Sequence, residues 1–195
     1  MSAFIDFSTG AGLASSTGVR PYLPPLLAGG LARGDIAIDF DGTDFSFLES
    51  PAFLGGVVAV GVVAFLIERS RAPDAGRGAA EFLSGIVGLL LGALLFAGAL
   101  ADGGHDTWVG LVLGPLCAVL GWLAIGGLVE GARVRLEQEQ AALLTAYADG
   151  AALVLAAIAI FVPPLALLAI PGFILLLLGG RRRQGEKYAG LRILR

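Results

Sequence analysis

Long apolar stretches separated by short polar intervals dominate the chain. Stretches at about 10–32, 51–67, 82–101, 107–129, 142–162 and 165–179 predict six membrane crossings, since roughly 20 apolar residues span a bilayer as a helix. The pattern also repeats. FLSGIVGLLLGALLF, Phe82 to Phe96, returns in altered form as YADGAALVLAAIAIF, Tyr147 to Phe161. Aromatic residues match at both ends, Ser84 matches Asp149, and Gly85 matches Gly150. Upstream, Leu66-Ile67-Glu68 with Arg71 echoes Leu128-Val129-Glu130 with Arg133. Such a repeat predicts a helical hairpin used twice. The expected fold is therefore an all-α integral membrane protein, a six-helix bundle in a single domain.

Two of the stretches carry breaks. In GVRPYLPPLL, Pro21, Pro24 and Pro25 remove backbone donors, so the first helix is kinked or broken near Arg20. A re-entrant loop is the alternative. Pro163-Pro164 marks a turn between the fifth and sixth stretches. Gly88 with Gly92, and Gly110 with Gly114, stand four apart, a spacing that lets helices approach closely in lipid.

The interval 34–50 has a different period. Ile36, Ile38 and Phe40 alternate before Asp41-Gly42, and Phe45 and Phe47 alternate after it. Asp-Gly between alternating runs predicts a small β-hairpin. In that register Ile36, Ile38, Phe45 and Phe47 share an apolar face, and Asp39 stands opposite Asp44.

Composition agrees with lipid exposure: 56% of the 195 residues are hydrophobic and 15% charged, with a mean hydropathy of +0.84. Soluble domains are about 45–50% apolar and about 25% charged. One cysteine and one histidine leave no disulfide within the chain and no histidine-pair metal site. The first residues lack the basic start of a cleaved signal peptide. Arg69, Arg71, Arg77, Arg133, Arg135 and the basic tail 181–195 fall on one side of an even number of crossings, which makes that side cytoplasmic. Both termini are then cytoplasmic in the cell membrane, and the acidic loop 34–50 is outside. If the first stretch re-enters instead, the N-terminus moves outside and the rest is unchanged.

GVRPYLPPLLAGGLAR, LLTAYADGAALVLA, PPLALL and GGRRRQGEKYAGLR together resemble an uncharacterised bacterial membrane-protein family, domain of unknown function 4126. The resemblance covers most of the chain. It implies a bacterial membrane location and several helices, and it carries no established activity.

Among candidate residues Arg20 is the most informative. A charge at membrane depth costs about 2.5–3.5 kcal/mol on insertion scales, so it faces a partner or water. Asp149, the one charge between 141 and 180, is the partner by sign. Glu68, Arg71, Glu130 and Arg133 read as interfacial charges. Asp39, Asp41 and Asp44 form either a weak cation cluster or a set of solvated loop acids. IAIDFDGT matches the DxDGT pattern of haloacid-dehalogenase-type phosphatases, but a loop between membrane segments lacks the doubly wound domain that chemistry needs. The basic tail fits anionic lipid better than nucleic acid. The expected protein is thus a membrane bundle with no enzymatic activity, cofactor or bound metal, of a small transporter-like or channel-like kind. The alternative is an accessory membrane subunit. Substrate and self-association stay open.

Overall fold

The computed structural model describes the backbone of residues 2–70, 79–133 and 138–189. Within these, side chains at 68–70, 79–81, 127, 130–133, 138–142 and 180–189 lie outside the description. The elements are α1 (Ala3–Val19), α2 (Leu23–Ala32), a single 3-10 turn (Ser46–Glu49), α3 (Pro51–Ser70), α4 (Ala79–Asp102), α5 (Thr107–Arg133), α6 (Gln138–Phe161), α7 (Pro163–Ala166) and α8 (Ala169–Ala189). No strand occurs among the described residues. Three segments are long and apolar enough to cross a membrane: Phe82–Asp102, Thr107–Gly126 and Leu143–Phe161. Leu23–Ala32, Pro51–Ile67 and Pro163–Gly179 are shorter apolar helices.

The first stretch is not one continuous helix. Arg20 precedes Pro21, whose ring disfavours helical geometry at the residue before it. Arg20 is accordingly extended, with φ −145° and ψ 109°, and α1 stops. Pro24 and Pro25 sit in the first turn of α2, where missing N–H groups would have had no helical partner anyway. The chain reverses between these two helices. At one end, Asp6 of α1 reaches His105 in the α4–α5 turn. At the other, Tyr22 Oη lies 2.9 Å from Ser84 Oγ near the start of α4. α1 is therefore antiparallel to α4. α2 then climbs back, so that Ala28 and Ala32 join Phe40, Leu48, Leu95 and Ala97 in one buried cluster. The pair is a helical hairpin, and the N-terminal end of α1 lies at the same end of the bundle as the acidic loop. The single helix expected over 10–32 is thus two, and the six-helix bundle is not what forms: among the described residues, three long apolar segments stand with three shorter apolar helices.

α1 is the centre of the bundle, with twelve of its 17 residues buried. Its composition explains how a helix carrying Ser8, Thr9, Ser15, Ser16 and Thr17 can be buried. Each hydroxyl donates to its own helix backbone, as Ser15 Oγ does to Ala11 O and Thr17 Oγ1 to Ala14 O, both at 2.7 Å. The outward surface is then small and effectively apolar. α4 and α5 form an antiparallel pair against it, joined by a turn in which Gly104 takes φ +72°. There His105 N donates to Leu100 O and Gly104 N to Ala101 O, a Schellman ending that needs this left-handed residue. Both glycine pairs named from the sequence lie at contacts: Gly88 and Gly92 against Thr17, and Gly110 and Gly114 against Ala97 and Ala93. α6 runs beside α1 in the same direction as α4, with Ala159 against Gly12.

The interval 34–50 is not a β-hairpin. Asp41-Gly42 does make a tight turn, with Thr43 N donating to Phe40 O at 3.2 Å and Gly42 at φ +72°. Beyond it the bonds stay local. Thr43 Oγ1 donates to Phe40 O and accepts from Phe45 N, and Ser46, Leu48 and Ser50 each donate three residues back. No strand pairing forms across the turn. The predicted apolar face also divides: Ile38 and Phe45 are buried with Phe40 and Leu48, whereas Ile36 and Phe47 are exposed. Tertiary packing of Phe40 and Leu48 onto Gly98 outweighs the alternation.

Candidate functional site

The tip of the α1–α2 hairpin carries Arg20. Because Arg20 cannot be helical, its side chain leaves the α1 axis toward α6. Its Nε lies 2.6 Å from Asp149 Oδ1, with side-chain exposures of 14% and 39%. The approach is ionic rather than a well-aligned hydrogen bond, since distance is met and donor direction is not. Thr17 and Pro21, against Gly88, bring the tip close to α4. The Tyr22–Ser84 bond fixes the other side of the tip. Arg20 and Asp149 thus form an ion pair between the hairpin tip and α6.

A second polar group closes the opposite end of α1. Asp6 is buried, and its Oδ2 lies 3.2 Å from His105 Nε2. Neither residue stood out in the sequence. An acid close to the chain start and a histidine in a turn give no signal without the fold that joins them.

The acidic loop forms a third site, an open depression of ≈ 470 Å³ lined by Arg33, Asp35, Asp41, Ser46, Glu49 and Ser50. Carboxylate oxygens of Asp35, Asp39 and Asp41 lie within 4.8 Å of one another. Asp41 N donates to Asp39 Oδ1 at 2.8 Å, which draws these two together. The sequence register placed Asp39 opposite Asp44. Without the hairpin that pairing is absent, and Asp44 falls outside the cluster, its place taken by Asp35. Asp35 reaches it through left-handed backbone at Asp35 and Ala37, φ 53° and 64°, uncommon for residues other than glycine. Glu49 is buried beside them, and its carboxyl is held above the ordinary carboxylate range by desolvation first and by Asp41, Asp39 and Asp35 next. The DxDGT-like residues therefore lie on turns with no strand beneath them.

Pro163 and Pro164 open α7, and Val162 before them leaves helical geometry with φ −137°. This turn meets α1 where Ala166 touches Gly12. The side chains of Glu68, Glu130 and Arg133, Arg71 and the tail 181–195 lie outside the described residues.

No curated protein and no solved structure matches the chain. Over residues 7–183, from within α1 into α8, the sequence fits the family described as Domain of unknown function (DUF4126), and the chain belongs to that family.

Proposed function

We propose that the protein is a multi-pass protein of the bacterial cell membrane with a small transporter-like core, and that the Arg20–Asp149 pair is its solute-facing group. The observation that carries this reading is the position of the pair at the tip of a proline-broken re-entrant hairpin. Secondary transporters build sites from discontinuous helices whose broken backbone lines a cavity. A second Pro-Pro turn, Phe161-Val162-Pro163-Pro164-Leu165, echoes Tyr22-Leu23-Pro24-Pro25-Leu26. The first turn lies toward the basic end of the bundle and the second toward the acidic end. Two broken hairpins entering from opposite sides fit an inverted pair.

The orientation follows from charge. The ends of α3 and α5 and the starts of α4 and α6 lie opposite Asp6 and the acidic loop, and in the sequence Arg69, Arg71, Arg77, Arg133 and Arg135 flank them. That end is cytoplasmic by the positive-inside rule. The large exposed side chains of α3, among them Val58, Val62, Val63, Phe65 and Leu66, face lipid in this arrangement.

Accessory function without a pathway is the second reading, and one observation favours it: α1 meets α4 and α5 backbone to backbone, leaving no room along those seams. Water access at the pair separates the two. A cysteine at Thr145, one turn before Asp149 on α6, should react with a membrane-impermeant maleimide from the basic side in a Cys117→Ala background. Complete protection of that cysteine makes the pair a structural clamp and gives the accessory reading precedence.

A further inference from the structure

We infer that the acidic loop is a divalent-cation site, for Ca²⁺ in the first place, with Asp35, Asp39, Asp41 and Glu49 as its ligands. Three exposed aspartates alone would be an ordinary solvated cluster. The observation that changes this is Glu49. It is 8% exposed, it lines the same depression as Asp35 and Asp41, and its Oε1 is fully buried with no hydrogen-bond partner. An acceptor taken out of water without a donor is costly, roughly 1–3 kcal/mol and more when charged. Asp41 lies close enough to share a proton with Glu49, but two ionised carboxylates cannot satisfy each other. A cation is the partner that relieves both at neutral pH.

The geometry selects among cations. The oxygens of Asp35, Asp39 and Asp41, no more than 4.8 Å apart, fit one Ca²⁺ sphere, in which ligands at 2.3–2.6 Å put opposite oxygens at most about 5 Å apart. Mg²⁺, with ligands at about 2.1 Å and a strong hold on its waters, suits a loosely gathered, open-faced set less well. Four carboxylates stand against the single positive charge of Arg33 on the wall, leaving an excess of three negative charges when all are ionised. The sequence supports the assembly. The 3-10 turn Ser46–Glu49 delivers Glu49 from the buried side, anchored by Leu48 in the core, while the Asp39–Asp41 turn delivers the others from the solvent side. The affinity expected of such a site is that of extracellular calcium modules, a Kd of about 10⁻⁴–10⁻³ M. The site is independent of Arg20 and Asp149 and stands or falls apart from the transport reading.

The test is calorimetric titration of CaCl₂ into the purified full chain in detergent, after treatment with a chelator. One saturable Ca²⁺ site per chain is expected, with Mg²⁺ at least tenfold weaker. Asp41→Asn and Glu49→Gln should each weaken binding by tenfold or more, whereas Asp44→Asn, exposed and outside the cluster, should leave it unchanged. The helical circular dichroism of each variant shows that it is folded. No saturable binding up to 10 mM, on the order of ten times the weakest expected Kd, overturns the proposal. So does Asp41→Asn binding as the wild type does, or Mg²⁺ binding more tightly than Ca²⁺.

Discussion

Replacing Gly18 by alanine tests the packing that makes α1 the centre of the bundle. A Cβ there would stand 1.9 Å from the Ala118 carbonyl oxygen and 2.9 Å from the Trp122 nitrogen, where real Cβ contacts under 3.0 Å are essentially unknown. Both obstructing atoms are backbone, so no rotamer change relieves them. α1 and α5 must part by about 1 Å, and overpacking of this kind costs about 1–3 kcal/mol. The gain in helix propensity from glycine to alanine returns about 1 kcal/mol. The net expectation is a loss of about 2 kcal/mol, from the upper part of that range. Gly150→Ala is the matched control: it makes the same chemical change in α6, with nothing within 4 Å of the new carbon. It should stabilise by about 0.5–1 kcal/mol. Unfolding by SDS titration in mixed micelles, followed by circular dichroism, reads both. The reasoning is refuted if the two variants shift stability alike, because their propensity terms are identical and only the contact differs.

Further outcomes follow from the same structure. Arg20→Asp should impair folding, since removing one partner of a buried pair costs about 3–5 kcal/mol and partial exposure here sets the lower part of that range. The charge-swapped Arg20→Asp/Asp149→Arg protein should recover expression, and a double variant no better than the single would separate the two residues energetically. Cysteines at Ser2, Gly34 and Gly103 should label from outside and those at Gly78 and Gln138 from the cytoplasm. Labelling of Ser2 from the cytoplasm would restore a crossing first helix. Glu49 titrates above its ordinary 4.5 because burial and neighbouring acids penalise its charge. Its sign is therefore opposite to that of a paired carboxylate: the folded loop is favoured below 4.5 and loses that contribution as pH rises through the raised value. In chelator, limited proteolysis of the loop should be faster at pH 7.5 than at pH 5, and Glu49→Gln should remove the difference; equal rates in the wild type contradict the assignment.

The sequence by itself determined the helical class, the positions of the long apolar helices and the places where they break. These depend on local chemistry: apolar length, the φ restriction of proline, and the missing N–H at Pro24 and Pro25. It also pointed from Arg20 to Asp149 through sign and cost alone, and the fold sets them 2.6 Å apart. The direction of the chain after Pro21 was beyond it. A kinked helix that continues and a helical hairpin that doubles back share one local sequence, and the choice rests on what α2 packs against, here the cluster of Phe40, Leu48 and Leu95. The loop shows the same limit. Alternation and Asp-Gly described the turn correctly, yet burial of Phe40 and Leu48 on Gly98 broke the register and drew Glu49 in with them. Local sequence fixes what each segment can form, whereas the grouping of Asp35, Asp39, Asp41 and Glu49 depends on contacts made elsewhere, which only the tertiary structure decides.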